Sequence, residues 1–377
     1  MAITYHQQPS TGSIQSSDDP IGYVFSSNQT GQPNFCFIVD VLINGVIVSN
    51  DMVYPERGNK AHFDAIKTTL SSIVPIERGD SLVAIQNLAT LQIRVSERYG
   101  TTPATYPFSQ SNVCKLAKAS TDEETFISGW LTANYPPDQK WLTDAPDSTI
   151  LVSRRYPIWC SIFNTSPQVL INVNCYDAND DFIAALSSSI VTGGDKVNVC
   201  VLPDDLNAML DPLTMEDVHR MEIYMNESDP LFVNFIEEDC GEFYQLSWLN
   251  NLGGHDQFLF THNRDQESAI TIHEYKKQFG RWSDANEFKY DPIKGGDTPY
   301  LKVIQPTGTL YSGWIPEAYQ NWMAQIFYSV DHILLVGDAI EKLGVTNTSA
   351  TLDKSRFNDI LNFQVNYKKT NFKSLTK

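Results

Sequence analysis

Two histidines and an aspartate lie close together in the stretch SWLNNLGGHDQFLFTHN, residues 247–263. Metal-dependent phosphohydrolases use a His-Asp dipeptide such as His255-Asp256, but they place it on a helix with further ligands from other helices. Here Gly253 and Gly254 would break a helix, and both flanking segments have strand patterns. His262 follows His255 by seven residues, so on an unbroken strand the two imidazoles would point to opposite faces. The spacing disfavours metal binding and catalysis, and we predict no catalytic, cofactor-binding or metal residues.

A tight hairpin explains more of this stretch than a catalytic loop does. Apolar side chains alternate on both sides of the glycines, at Leu246, Trp248, Phe258 and Phe260. Gly253 and Gly254 are predicted to supply positive φ angles, which glycine adopts without steric penalty. Polar residues beside them can cap the turn by local hydrogen bonds, at Asn250, Asn251 and Asp256. We therefore predict two strands joined by a glycine turn.

Other catalytic signatures are missing from the sequence. It contains no G-x-S-x-G nucleophile elbow, no phosphate-binding loop and no H-E-x-x-H zinc motif. Carboxylates cluster in NFIEEDCGEF, residues 234–243. One interpretation of this stretch is a pair of catalytic carboxylates like those of a glycosidase. We favour the other interpretation, a solvated acidic loop.

Composition and charge narrow the class of protein. The chain has 377 residues, 42% of them hydrophobic, which is enough for two or three packed domains. Its formal net charge of −18 argues against direct, sequence-specific binding of nucleic acid and against binding to anionic membranes. No stretch approaches the roughly 20 apolar residues that span a bilayer. The N-terminal MAITYHQQPSTGSIQSSDD lacks the features of a secretion signal, so we expect synthesis in a cytoplasm.

The six cysteines are widely separated, at Cys36, Cys114, Cys160, Cys175, Cys200 and Cys240. None stands in a C-x-x-C pair, so a zinc ribbon or a redox motif lacks support. Several fall within alternating apolar segments such as FCFIV and VNVCVL, which favours buried thiols.

Alternating apolar segments predict a mainly β fold of two or three serial antiparallel β-sandwich domains with a few short helices. Asn44-Gly45 is a strong hairpin signal, because a type I′ turn needs positive φ at both central residues. Asn179-Asp180-Asp181 is a second turn, and the Thr-, Pro- and Ser-rich segment within 100–125 reads as a long loop. The predicted domains are an N-terminal sandwich over 1–148, a middle sandwich over 149–235 and a C-terminal β domain over 236–377.

Two segments have helical periodicity. In KAHFDAIKTTLSSIV, residues 60–74, one apolar face is formed by Phe63, Ile66, Leu70 and Ile73. In the C-terminal domain, a helix over about 313–328 is indicated by Ile315, Tyr319, Trp322 and Ile326. Pro316 and Glu317 suit the first turn of that helix.

Four motifs occur in a recognisable order. The first is DPIGYVFSS followed by QPNFCFIVDVLINGVIVSNDMVYPERGNKAHFDAIKTTLSSIV; the others are KWLTDAP, CGEFYQLSWLNNLGGHDQFLF and TGTLYSGWIPEAYQNWMAQIFYSVDHILLV. The series resembles a family of virion structural proteins from phages and prophages of Bacteroidota, including the crAss-like phages. Two positions depart from that pattern: His255 stands where an aromatic residue is commoner, and Pro316 stands where a polar cap is commoner.

This resemblance implies a non-enzymatic component of the phage tail, collar ring or baseplate, assembled in the host cytoplasm and located in the virion. It implies a homo-oligomeric ring, with other tail, portal or baseplate proteins as partners, and it supplies no catalytic residues or cofactor. The alternative is a carbohydrate-binding or adhesive β-sandwich protein for host-surface attachment, with Trp and Tyr side chains as a sugar platform. An exposed groove lined by Trp130, Trp141 and Trp282 would favour this alternative. A hydrolase is the third hypothesis.

Overall fold

Strands form most of the described chain, and the protein is mainly β, as the sequence predicts. The computed structural model describes residues 3–56, 58–65, 83–102, 104–120, 130–191, 194–204, 210, 215–236, 243–277, 280–282, 288–290, 296–337, 339–347, 352–354, 360–370 and 373–376. The chain divides into two compact units. Unit 1 contains Met1–Glu237 and Trp248–Phe258, and unit 2 contains Glu238–Ser247 and Leu259–Lys377.

The strands of unit 1 before the glycine turn run as follows: β1 (Thr4–Gln7), β2 (Ile14–Ser16), β3 (Gly22–Ser26), β4 (Cys36–Ile43), β5 (Val46–Val53), β6 (Lys60–Asp64), β7 (Val83–Gln86), β8 (Ala89–Tyr99), β9 (Ala104–Thr105), β10 (Ser109–Gln110), β11 (Cys114–Ala117), β12 (Thr149–Val152), β13 (Ile158–Phe163), β14 (Gln168–Tyr176), β15 (Phe182–Val191), β16 (Lys196–Val201), β17 (Arg220–Met225) and β18 (Leu231–Phe235). Two more strands flank the turn, β19 (Tyr244–Leu249) and β20 (His255–Phe260).

Two sheets at the N-terminal end of unit 1 form a β-sandwich. One has the order β1-β3-β6, and the other has the order β2-β11-β8-β4-β5 with β9 and β10 also paired to β8. Buried apolar residues of β3, β4, β6, β8 and β11 form one shared core. The Asn44-Gly45 hairpin is confirmed, because both residues have positive φ (51° and 77°) between β4 and β5. The predicted loop within 100–125 was wrong at Ala104–Thr105, Ser109–Gln110 and Cys114–Ala117, where three short strands form.

Two further sheets belong to unit 1. One has the order β13-β16-β7, and the other contains β15-β14-β17-β18-β12-β20. The latter is mixed, since β12 is parallel to both β18 and β20. Strand β7 precedes the boundary predicted at residue 148, yet it pairs antiparallel with β16, from Val83 opposite Val199 to Gln86 opposite Lys196. That boundary therefore falls inside unit 1.

Unit 2 is organised around one long strand. Its strands are β21 (His262–Lys277), β22 (Gly280–Trp282), β23 (Phe288–Tyr290), β24 (Gly296–Pro316), β25 (His332–Val336), β26 (Ala339–Val345), β27 (Leu352–Lys354), β28 (Ile360–Lys369) and β29 (Lys373–Thr376). Strand β24 pairs with β21 on one side; on the other it pairs with β28 along 307–316 and with β29 along 301–304. Strand β26 pairs with β25 and β28.

Helices are short in the described residues. Those with described bounds are α1 (Trp130–Asn134), α2 (Gln320–Tyr328) and the 3₁₀ turns Pro146–Ser148, Met215–Asp217 and Glu317–Tyr319; Pro203, Asp204 and Leu210 are also helical. The predicted start near residue 313 was wrong, because β24 continues to Pro316, opposite Ile360 of β28. The helix predicted over 60–74 was wrong at its start, where pairing with β3 makes Lys60–Asp64 a strand; its remainder from residue 66 lies outside the described residues. None of the described helices is long and apolar enough to cross a membrane.

Candidate interaction surfaces

The glycine turn at residues 250–254 is a tight connection between β19 and β20, as predicted. The Asn250 N–H donates to the Gly254 carbonyl at 2.9 Å, and the Gly253 N–H donates to the Asn250 carbonyl at 3.1 Å. The Asn250 side-chain oxygen accepts from the backbone N–H groups of Leu252 at 3.0 Å and Gly254 at 2.8 Å. One asparagine side chain therefore organises the whole turn.

The turn is packed inside unit 1. The Asn250 amide nitrogen donates to the Leu142 carbonyl at 2.7 Å and to the Asp256 carboxylate at 2.9 Å. Ser120 N–H donates to the Asn251 carbonyl at 2.8 Å. Leu252 is buried in a cluster with Leu142 and other apolar residues of unit 1. The turn is thus a buried structural element and its backbone is fixed by distant parts of the chain.

The two glycines are needed for different reasons. Gly253 has a positive φ of 79°, and a Cβ there would lie 2.6 Å from the Lys118 carbonyl oxygen. Gly254 does not have a positive φ, so the prediction for that residue was wrong. A Cβ on Gly254 would lie 2.2 Å from the Leu142 carbonyl oxygen, so this position requires glycine because two backbones approach closely.

A lysine holds the other side of the turn. The Lys196 side chain is buried in β16, and its Nζ donates a hydrogen bond to the Gly253 carbonyl. Burial lowers the pKa of Lys196 to about 7, because desolvation penalises the charged ammonium. Sequence reasoning missed this residue, since a lysine in the alternating segment KVNVCV is typical of a solvent-facing position.

The His-Asp dipeptide follows the turn and is buried. His255 is 4% exposed and Asp256 is 2% exposed. Both line a cavity of about 10 Å³, which holds about one water molecule, together with Trp141, Trp159 and Ser161 among other residues. His262 begins β21, opposite Tyr311 of β24. Within the described ranges, no group of three His, Cys, Asp or Glu side chains is placed to hold a metal ion.

Two other sequence hypotheses concern carboxylates and tryptophans. Of the acidic stretch 234–243, residues 237–242 lie outside the described residues. Trp141 is buried and its indole N–H donates to the Asp229 carbonyl at 2.9 Å, so Trp141 cannot line an exposed sugar-binding groove. Trp130 is half-buried, and the side chain of Trp282 lies outside the described part of the chain.

Five cysteines are buried thiols, as the apolar alternation predicts: Cys36, Cys114, Cys160, Cys175 and Cys200. Burial raises the pKa of the Cys114 thiol to about 12 and that of Cys175 to about 11. The sixth, Cys240, lies outside the described residues.

Strand β5 is an exposed edge. It ends the sheet order of the N-terminal sandwich, and among the described residues it pairs with β4 alone. Apolar side chains are exposed on both of its faces, with Val46 at 64%, Ile47 at 47% and Met52 at 57%. Asn50 anchors the strand by a 2.5 Å hydrogen bond to the carboxylate of buried Asp40. A long apolar edge strand is a template for pairing with another chain.

A second exposed surface is the β-arm, defined as residues 267–277 of β21 with residues 296–307 of β24. Residues 267–277 are all exposed, and residues 296–307 include no buried position. At about 3.4 Å per residue the exposed part of β21 is roughly 35 Å long. Its exposed apolar side chains are Ile270, Ile272, Tyr275 and Tyr300. Strands without a buried face are marginally stable in water unless another surface covers them.

Charge is distributed unevenly along the chain. Residues 1–258 have 13 Lys and Arg against 32 Asp and Glu, a net charge of −19, whereas residues 259–377 have 14 against 13, a net charge of +1. Lys276 and Lys277 lie at the far end of β21 in the β-arm, while Asp51 is exposed on β5 and Glu56 is exposed three residues after the end of β5. The N-terminal part is therefore acidic, and the part that contains the arm is nearly neutral.

Both exposed surfaces had a signal in the sequence. AITIHEY alternates at Ile270 and Ile272 like a half-buried strand, and VIVSNDMV has apolar residues at both ends. Neither pattern tells whether the same chain covers the apolar side chains. Counting charge separately for the two parts of the chain would have revealed the asymmetry.

No protein-family model matches the chain, and no curated protein matches it. Among solved structures, the chain is similar to the FN1-FN3 domains of chicken CNTN1, at 12% identity over 60% of this chain and 69% of that chain, with a TM-score of 0.17. It is also similar to the calcium binding domain CBD12 of CALX1.1, at 8% identity over 60% of this chain and 79% of that chain, with a TM-score of 0.20. TM-scores this low carry no argument about function, and the β fold rests on the strands described above.

Proposed function

We propose that this protein is a non-enzymatic structural component of a phage virion, in the tail, collar ring or baseplate. In this role, copies of the chain associate with one another and with neighbouring virion proteins to form a symmetric assembly. The observation that carries the proposal is the β-arm, whose two strand segments expose apolar side chains and include no buried position.

The exposure of the β-arm and of β5 supports an assembled state. A strand that is exposed on both faces gains little from the hydrophobic effect, which provides most of the favourable free energy of folding. The β-arm and the β5 edge would gain that burial in a contact with another protein. Several exposed apolar side chains close together on one strand are typical of a surface that binds another protein.

The surroundings of the His-Asp dipeptide support a role other than catalysis. His255 and Asp256 are buried beside a cavity with room for about one water molecule. A substrate would need a larger opening to reach them. The phage assignment rests on the motif series, above all CGEFYQLSWLNNLGGHDQFLF, whose glycine turn has a structural purpose here.

Size measurement and electron microscopy test the proposal. The purified full-length chain, alone or with the proteins encoded beside it, is expected to form a symmetric complex with several copies, and the same protein is expected in purified particles. A chain that is monomeric in every fraction and missing from the particles would overturn the proposal.

Glycan binding is a second candidate, favoured by one observation. Tyr275 and Tyr300 are both about half exposed on the β-arm, and their ring centroids lie 6.2 Å apart. Aromatic faces of this kind stack on sugars. A glycan array probed with the wild-type protein and with Tyr275→Ala would support this candidate only if the wild-type signal depends on the tyrosine.

A further inference from the structure

We infer that the β-arm of one copy binds the β5 edge of a second copy, so that β21 adds to the sheet that ends at β5. This inference rests on the proposed self-association and specifies the two surfaces that meet. The partner is a second copy of this chain, and the contact is head-to-tail, because the two surfaces belong to different parts of the molecule.

Backbone chemistry makes both strands suitable for strand addition. Each is the last strand of its sheet order among the described residues. Strand β5 has 8 residues and β21 has 16, and neither contains proline, so no residue that faces the open edge lacks an N–H. Strand addition uses these main-chain groups for affinity and alternate side chains for specificity.

Both strands carry exposed apolar side chains among polar ones. On β21, Ile270 and Ile272 share one face and Tyr275 lies on the other, because successive side chains alternate. On β5, Ile47 is opposite Leu42 and Met52 is opposite Ile38, so both belong to the outer face of the sandwich. Pairing the two strands would bring apolar side chains together across the new ladder.

Charge favours this pairing over contact between two identical surfaces. A β5-to-β5 contact would bring together two acidic parts, each at net −19 over residues 1–258. A contact of the β-arm with β5 avoids that repulsion, because residues 259–377 have a net charge of +1. It also allows Lys276 and Lys277 to approach a surface that includes Asp51 and Glu56.

Two surfaces that differ define the symmetry of the product. Each copy provides one β-arm and one β5 edge, so the contact is heterologous and repeats from copy to copy. Such contacts close into a ring when the rotation between copies allows it, and otherwise they continue as a filament.

The test uses full-length variants in which exposed residues are replaced by lysine, which blocks edge pairing. The edge variant has Ile47→Lys and Met52→Lys, and the arm variant has Ile270→Lys and Ile272→Lys. Each is expected to weaken self-association on the order of tenfold or more, as measured by analytical ultracentrifugation. Ile340→Lys is the matched control, because Ile340 is 62% exposed on β26, which β28 and β24 separate from β21 in the sheet order, and it should assemble like wild type.

Mixing the two variants is the decisive step. An edge variant still has a normal arm, and an arm variant still has a normal β5, so an equimolar mixture should form heterodimers and stop there. Thermal melts of the separate variants should match wild type, which shows that they fold. Val46→Lys is a second edge variant, on the other face of β5, and should weaken self-association in the same way.

The outcomes separate this inference from the proposed function. If the wild type assembles and both variants assemble as well as the wild type, the inference is wrong and self-association uses other surfaces. If only the edge variant fails and mixing gives no heterodimer, β5 pairs with itself or with another protein and the inference is also wrong. A wild-type chain that never associates would overturn both.

Discussion

The Nζ of Lys196 and the carbonyl oxygen of Gly253 are joined by a hydrogen bond inside unit 1, where both residues are buried. This contact fixes the glycine turn to β16 although the two residues are 57 positions apart in the sequence. Because the lysine is desolvated, its pKa in the folded protein falls from 10.5 to about 7.

The lowered pKa predicts how stability depends on pH. Between about pH 7 and pH 9 the unfolded chain keeps the lysine proton that the folded protein releases, so the free energy of unfolding rises with pH. The rise is at most about 1.4 kcal/mol per pH unit. Above about pH 9 the buried cysteine thiols, with raised pKa values, oppose the rise, because they ionise only in the unfolded chain.

Urea unfolding at several pH values measures this slope. Lys196→Met should lower the slope between about pH 7 and pH 9, whatever its effect on absolute stability, since the variant leaves the Gly253 carbonyl without the lysine donor. Equal slopes for wild type and variant would show that Lys196 does not release its proton on folding.

The two glycines of the turn should respond to alanine for different reasons. Gly254→Ala places a Cβ 2.2 Å from the Leu142 carbonyl oxygen, and we expect a loss of about 2–3 kcal/mol in the free energy of unfolding. Gly253→Ala adds a contact of 2.6 Å to the strain of a positive φ and should cost at least as much.

Two other glycines are matched controls for these variants. Gly45 also has a positive φ, but a Cβ there would meet nothing within 4 Å, so Gly45→Ala should cost only about 1–2 kcal/mol of strain. Gly31 has neither constraint, and Gly31→Ala should be neutral. If Gly254→Ala loses no more stability than Gly31→Ala in thermal and urea melts, the Leu142 carbonyl does not lie close enough to Gly254 to exclude a Cβ.

His255→Ala should destabilise unit 1 without any effect on metal content. The side chain is buried next to a small cavity, and its removal would enlarge that cavity, so we expect a cost of about 1–3 kcal/mol. His62→Ala is the exposed control and should change stability by less than about 0.5 kcal/mol. Metal released from wild-type protein but not from His255→Ala, detected by mass spectrometry, would contradict this structural role.

The thermal stability should not depend on reductant. Five cysteines are buried thiols, so adding dithiothreitol should leave the Tm unchanged. A fall of several degrees would mean that a disulfide contributes to stability, since closing a loop restricts the unfolded chain. Mass spectrometry after alkylation of the unfolded protein counts the thiols directly.

Local signals in the sequence were enough for the mainly β character of the fold and for two of its turns. Asn44-Gly45 predicts its hairpin because the required φ angles exclude most other residues, and both angles are positive in the structure. Asn250 was assigned as a cap from its residue type alone, and it is the centre of the turn. These features depend on neighbours within a few positions, which is the range that sequence patterns report.

Contacts between distant segments set the features that the sequence did not reveal. The helical apolar pattern of residues 60–74 includes Phe63, but pairing with β3 makes Lys60–Asp64 a strand, since tertiary contacts override local propensity. Gly254 needs to be glycine because of Leu142, a residue more than one hundred positions earlier, and no local pattern reports that approach. The exposure of AITIHEY depends on which segments pack nearby, so the same alternation fits a buried or an open strand.

The pairing of β7 with β16 has a consequence for how the protein is made. Residues 83–86 leave the ribosome more than one hundred residues before their partners at 196–199, and the turn that packs against Lys118 and Leu142 is synthesised later still. Contacts of such high contact order form slowly, because the loop between the partners must close first. A nascent chain that ends near residue 148 therefore has β7 without its partner strand, and unit 1 completes its sheets only after residue 258 has been translated.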